Sequence, residues 1–508
     1  MKIKSNNRLL TNMLSYAILQ IVNLLVGLVL PRLYLSVYGS EINGVISTVN
    51  SFTTYFAYLE AGLGLTLIHA LFKPLVDNDN GEINGILSFS KKQYQKISCV
   101  YFALVVILAA AFPMLSTTSA INKLEFMSLV LVIGGYGALD FYTMAKYRVL
   151  LTADRKEYVI SYATILAQLL RFVFVWTLLK FDLSVVFVKA TPIFTLIIRS
   201  AILKLYVRKK YPNVDFSAPI TTNISATGHR WDALLLQISI STSVSLPTII
   251  ISQVLGFTEA NIYAIYSLVI SAVVAIISAL SSGVSPMLGA KLANGENIRD
   301  LYNIYDYVVS FVLALAFSIT AVMILPFVEL YTNVTSDVNY SYPIYAVLIS
   351  LWGALYSYRI PITAVINAAG IYRENRVNNI INLSIQIVLG VVFTLLWGIP
   401  GALLVMIIAA VHRNISLGLV NERKLLGDIM WKNIIRQVII SLIVVTSWYI
   451  SKFALEGVEF DASTWVLVAS IVCVIELVIC VLVFAASEPK LAKKMFIFVK
   501  NKIAKVRQ

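Results

Sequence analysis

Charge is what this chain has least of. Only 13% of its 508 residues are Asp, Glu, Lys or Arg, about half the share that a soluble domain carries. Histidine and cysteine occur three times each. His69, His229 and His412 are far apart and form no ligand motif. Cys99, Cys473 and Cys480 all sit inside apolar runs, where reduced, buried thiols are the expected state, and their spacing gives no support to metal ligation. No GxxxxGK[ST] loop is present, so the chain does not hydrolyse ATP itself. Stretches long enough to fold as a soluble catalytic domain are missing too. The outer gaps between apolar runs are short, and the longest inner ones run from Lys73 to Lys92 and from Lys209 to Gly228. No cofactor is called for.

What fills the chain is apolar sequence. Hydrophobic residues make up 59% and the mean hydropathy is +0.83. Runs of 20 or more apolar residues recur throughout, the mark of a polytopic all-α membrane protein. The first run follows Lys2, Lys4 and Arg8 directly and is too long for a cleaved signal segment. Fourteen spans are predicted, at 12–37, 43–71, 96–116, 126–150, 157–180, 183–206, 231–255, 261–288, 302–328, 341–369, 376–397, 399–421, 432–453 and 463–486. They group as a six-helix lobe over 1–210, a second over 211–425, two extra helices over 426–488 and a basic amphipathic tail over 489–508.

The net charge of +14 reports topology. Thirty-three of the 40 Lys and Arg residues fall at the N-terminus, in alternate loops and in the tail, and the intervening loops are mostly acidic. The positive-inside rule then puts both termini in the cytoplasm. The basic residues meet anionic membrane lipids, and a nucleic-acid partner is not indicated. The tail, with Leu491, Met495, Phe496 and Val499 among lysines, reads as a helix lying on the anionic inner leaflet.

The chain also reads as written twice. Pro31 falls on Pro247, Gly39 on Gly256 and Gly81 on Gly295, at offsets of 216, 217 and 214, and Ala153…Lys156-Glu157 falls on Ala369…Arg373-Glu374. Matches at nearly one offset, in equivalent places between apolar runs, argue for a duplicated six-helix unit and two pseudo-symmetric lobes.

Several spans carry polar stripes at intervals of three and four. In the first they include Asn12, Tyr16, Gln20 and Asn23. In the second they include Ser47, Ser51, Thr54 and Tyr58, and in the tenth Trp352, Tyr356, Arg359, Thr363 and Asn367. Such stripes serve helix packing or line a cavity. Ionisable residues inside apolar runs are fewer: Arg32, Glu60, Asp140, Arg171, Lys189, Arg359 and Glu476. A mid-bilayer charge costs at least about 2.5–3.5 kcal/mol, so each should face a partner or a cavity. Arg32 and Lys189 lie toward the outer ends and can snorkel. Arg359, Arg171, Asp140 and Glu60 are the stronger cavity candidates, with a buried structural ion pair as the alternative.

The residues Tyr38-Gly39-Ser40-Glu41-Ile42-Asn43-Gly44, Glu60-Ala61-Gly62-Leu63-Gly64, Leu71-Phe72-Lys73-Pro74-Leu75 and Phe89-Ser90-Lys91-Lys92-Gln93-Tyr94, set in this repeat, resemble the multidrug/oligosaccharidyl-lipid/polysaccharide flippase superfamily. Within it the chain looks like the bacterial polysaccharide flippases for capsule or O-antigen repeat units. The resemblance implies two lobes working by alternating access on an undecaprenyl-diphosphate-linked oligosaccharide, moved from inner to outer leaflet of the cytoplasmic membrane. It also implies company with other polysaccharide-assembly membrane proteins. Arg359, Arg171 and Arg32 become candidates for the diphosphate, Tyr356, Asn23 and Gln20 for the sugars, and Glu60 and Asp140 for coupling to an ion gradient. A multidrug cation antiporter of the same superfamily, and a membrane polymerase or glycosyltransferase, are the rival readings.

Overall fold

A computed structural model describes residues 2–60, 63–115, 118, 120–220, 230–281, 284–371, 373–427 and 429–494. The expected tail helix lies largely outside these. Among the described residues every regular element is helical. The contacts divide the chain into two compact units, Met1–Asn261 and Ile262–Gln508.

Unit 1 contains α1 (Lys2–Ala57), α2 (Leu63–Asp77), α3 (Asn80–Leu115), α4 (Lys123–Thr143), α5 (Ala145–Ala153), α6 (Glu157–Leu179), α7 (Val185–Lys189), α8 (Thr191–Lys210) and α9 (Arg230–Val254). The division falls within α10 (Phe257–Ser281). Unit 2 continues through α11 (Val284–Ala293), α12 (Arg299–Thr332), α13 (Pro343–Ser357), α14 (Arg359–Ala369), α15 (Arg376–Ser384), α16 (Gly390–Asn421), α17 (Met430–Ala454) and α18 (Ala462–Ser487).

Among the described residues ten helical stretches are long and apolar enough to cross a membrane, and two of these, Leu10–Glu60 and Arg376–Leu426, run for 51 residues each. A straight helix of that length would reach about 75 Å, well over twice the hydrocarbon thickness. Each turns at one glycine, Gly39 (φ 74°) and Gly398 (φ 64°), in backbone that a side chain would strain. Counted as two spans each, and with the serine-rich α9 and the interrupted α13–α14 pair added, they complete the fourteen segments.

The duplication is written in the backbone. Positive φ recurs at Gly39 and Gly256, Asn78 and Gly295, Arg155 and Gly370, and Asp182 and Gly398, all at nearly the offset that the sequence matches show. Helix breaks recur as well. α4 gives way to α5 at Met144, and α13 to α14 at Tyr358. The second break has a visible cause, because Pro361 has no N–H to offer the Ser357 carbonyl and its ring crowds it. Packing repeats too. A Cβ on Gly137 would strike the Tyr101 ring, and a Cβ on Gly353 would strike Phe317. The two glycines are equivalent positions of the repeat, and so are the two rings. With no water to expel between spans, such close contact holds helices together.

One expectation needs correcting. The stretch from Lys73 to Lys92 is almost wholly helical, because α2 runs to Asp77 and α3 starts at Asn80. Asp79 accepts the Glu82 amide at 3.0 Å and caps the new helix. Gly81 therefore sits in a first helical turn, and Asn78 is the turn residue that answers Gly295. Arg148, Arg199, Arg413 and Arg436 lie within helices, inside the predicted spans. Arg413 and Arg436 are 4% and 1% exposed.

Candidate functional site

In unit 2 the helix break presents Arg359. Tyr358, fully buried, closes α13, and its hydroxyl donates to Asp306 Oδ2 on α12 at 3.0 Å. Asp306 is paired with Arg436 of α17. Arg436 in turn holds Glu488 through Nε (2.6 Å) and Nη2 (2.9 Å) and donates to Asn303 at 2.8 Å. The ion cluster thus fixes the residue before Arg359. The Arg359 guanidinium lies 4.2 Å from the centroid of the Tyr356 ring, and Tyr356 stacks on Trp352 with centroids 5.1 Å apart. Arg413, on α16, is close enough for the two guanidiniums to repel. Among the described residues no carboxylate forms an ion pair with Arg359.

Unit 1 builds a second cationic cluster from other elements. Lys189 closes α7, is 7% exposed, and places Nζ 3.4 Å from the centroid of the Tyr34 ring on α1. Arg171 of α6 sits close enough to act on both the Tyr34 hydroxyl and Lys189. One turn away Gln168 donates to Asn23 at 3.2 Å, joining α6 to α1. Arg32 is half-buried on α1, two positions before Tyr34, and Gln20 is exposed. Lys189, read from the sequence as a snorkelling residue, is therefore buried beside Arg171.

The two candidate coupling acids are occupied. Asp140 pairs with Arg148 through Oδ2 at 3.0 Å and with Arg199 through Oδ1. Glu60 accepts the Tyr94 hydroxyl at 2.6 Å, within electrostatic reach of Arg148. Much of the stripe hydroxyl content turns inward on its own helix. Ser51, Thr54 and Thr363 all donate to carbonyls four positions earlier, which satisfies them without defining a cavity. Asn12 likewise spends its amide on Arg155 and Tyr158 backbone, at 3.0 Å each. Sequence reading missed Asp306 and Arg413. Asp306 lies one turn on from Tyr302 in a run whose apolar character hides it, and Arg413 was masked by the basic residues that follow it.

What remains is two groups of like charge inside apolar helices, each set against aromatic rings. Guanidinium forks bind oxyanions in two-point fashion, and ammonium groups add point charge.

No family model matches the sequence, and no curated protein matches it. Solved structures do match in fold. One, titled lipid II flippase MurJ in an inward closed conformation, aligns at a TM-score of 0.65 and 14% identity, over 94% of this chain and 99% of its own. An inward-facing multidrug resistance MATE family transporter of the MOP superfamily aligns at 0.57 and 13% identity, over 83% and 99%. The Vibrio cholerae MATE transporter VcmN aligns at 0.55 and 18% identity, over 84% and 99%. The chain has the fold of the MOP-superfamily transporters.

Proposed function

We propose that this protein is a flippase for a lipid-linked oligosaccharide diphosphate, moving it from the cytoplasmic to the outer leaflet of a bacterial cell membrane by alternating access. One observation carries the reading: Arg359, against Tyr356 and beside Arg413, has no carboxylate paired with it among the described residues. A diphosphate supplies the negative charge that such a group lacks, and its oxygens suit the guanidinium fork. Arg171 and Lys189 give unit 1 a cationic cluster of its own for an anion. The match to a lipid II flippase over nearly the whole chain supports the same cargo class.

The multidrug-cation reading has less to support it. A cation needs an available acid or an open aromatic face. Asp140 is held by two arginines, and the Tyr356 face is already covered by Arg359. If an ion gradient drives the cycle, Glu60 is the better coupling candidate, because its partner is a hydroxyl.

The test is depletion of the protein, followed by rescue with Arg359→Ala and Arg359→Lys. Lipid-diphosphate oligosaccharide should accumulate on the inner leaflet on depletion. The alanine variant should fail to relieve this at normal membrane abundance, and the lysine variant should relieve it in part. Export at the wild-type rate by Arg359→Ala would remove Arg359 from the site. Repeat units displayed outside but left unpolymerised would favour a polymerase.

A further inference from the structure

A separate cationic pocket stands at the end of unit 1 where basic residues gather, and it shares no residue with the Arg171–Lys189 cluster. A cavity of about 280 Å³ opens there among α3, α5, α8 and the segment after α8. Its cationic lining comes from Lys91, Lys146, Lys204 and Arg208. Asp215 is the one carboxylate in the described wall, and its Oδ1 already accepts the Ser217 amide at 2.8 Å.

The wall is built, not incidental. Asn84 of α3 clamps the segment after α8 from both sides, donating to the Asn213 carbonyl at 3.0 Å and accepting the Asp215 amide at 2.9 Å. Phe216 packs edge-on against Tyr147 with centroids 5.3 Å apart. The Lys146 ammonium lies over both rings, 5.2 Å from the Tyr147 centroid and 5.9 Å from that of Phe216. Lys91 donates to Ser217 Oγ at 3.2 Å. Lys146 is near enough to Lys91 and Lys204 for their charges to repel. A rigid frame thus holds like charges together around a space, an arrangement that an anion relieves.

We propose that this cavity binds a phosphate group, held by Lys146, Lys204 and Arg208 with Lys91 behind them. The volume lies just under the range of small-molecule pockets, enough for a phosphate and a small substituent but not for a lipid-linked sugar. Three ammonium groups and a guanidinium give charge-assisted donors from several directions, as a tetrahedral oxyanion requires. Two sources share this chemistry: the headgroup of an anionic phospholipid in the leaflet that the charge pattern assigns to the cytoplasm, and a soluble phosphate compound.

The full-length protein in maltoside micelles free of phospholipid separates them. Thermal unfolding is followed while inorganic phosphate is added at constant ionic strength, and in parallel while phosphatidylglycerol is mixed into the micelles. Wild type should be stabilised in at least one arm. A response to phosphate identifies a soluble ligand, and a response to phosphatidylglycerol alone identifies a headgroup. Lys204 and Arg208 are exposed, so the double variant Lys204→Gln/Arg208→Gln should fold and should need about tenfold or more ligand for the same shift. Lys204→Arg/Arg208→Lys should respond as wild type. No response of wild type in either arm, or an unchanged response of the glutamine variant, overturns the proposal.

Discussion

The two repeats share one plan and differ in how they spend their charge, and the fourth and tenth spans show where. Asp140 on α4 and Tyr356 on α13 are equivalent positions of the repeat, as are Thr143 and Arg359. In unit 1 the acid gathers Arg148 and Arg199 into a compact ion cluster. In unit 2 a ring stands in the acid's place, and the base that follows it lies against that ring with no acid paired to it among the described residues. Unit 2 keeps its own ion cluster elsewhere, at Asp306, Arg436 and Glu488. The same scaffold therefore carries charges paired across helices and, at Arg359, a charge with no carboxylate paired to it among the described residues.

The largest effect should come from breaking the unit 2 cluster. Asp306 and Arg436 are 0% and 1% exposed at the side chain, and removing one partner of a buried pair costs about 3–5 kcal/mol. Asp306→Ala should cut membrane abundance severely and free the Tyr358 hydroxyl at the helix break. Its counterpart Asp140→Ala should cost less, because Asp140 and Arg148 are 14% and 34% exposed. Purified yield and unfolding temperature decide it. Equal losses would erase the distinction between a sealed cluster and a half-open one.

Next comes a position where the repeats differ in charge, Thr143 against Arg359. Losing a charge-assisted contact costs about 1.5–3 kcal/mol, so Arg359→Ala should slow export by about ten- to hundred-fold with abundance preserved. Thr143→Ala, at the equivalent position of unit 1, should leave export unchanged. The pair is compared by measuring inner-leaflet accumulation at matched protein levels. Equal transport defects would mean that both positions act through packing.

How far this was legible in the sequence differs between scaffold and site. The fold could be read because apolar length, loop charge and turn glycines are local signals. Pro31 and Pro247 do sit inside equivalent helices, α1 and α9. Pairings across helices leave no such trace. Nothing local distinguishes Arg199, which binds Asp140 from a different helix, from the bases that follow it on α8. Nor does Arg413 differ in spacing from its basic neighbours, although it is buried beside Arg359. Helical periodicity marks Tyr356 and Arg359 on one face, and the structure brings them together, since that proximity arises within a single run.

The glycine–ring contacts test whether the duplication extends to packing energy. Overfilling a tight core costs about 1–3 kcal/mol. Gly137→Ala would push on Tyr101 and Gly353→Ala on Phe317 and Ile270. Both should lower the unfolding temperature by similar amounts. A loss at one site only would mean that the units share a backbone but not a packing scheme.

The smallest expected effect concerns how the two equivalent helices begin. Asn122 accepts the Glu125 amide at 2.9 Å and caps α4 with its side chain. At the start of α13 no side chain caps, and Pro343 stands in the first turn. The two solutions address the same problem, the unmet N–H groups of a first turn. One supplies an acceptor. The other removes a donor and presets φ. Replacing a capping Asn with Ala costs about 1 kcal/mol, so Asn122→Ala should lower the unfolding temperature measurably. Pro343→Ala restores an unmatched N–H and loosens the unfolded chain, a change of about 0.4–1 kcal/mol. Hydrogen exchange at the first turn of each helix separates the outcomes. Faster exchange confined to α4 in the first variant and to α13 in the second is expected. If Asn122→Ala left exchange in α4 unchanged, neighbouring helices rather than the cap would be holding that end.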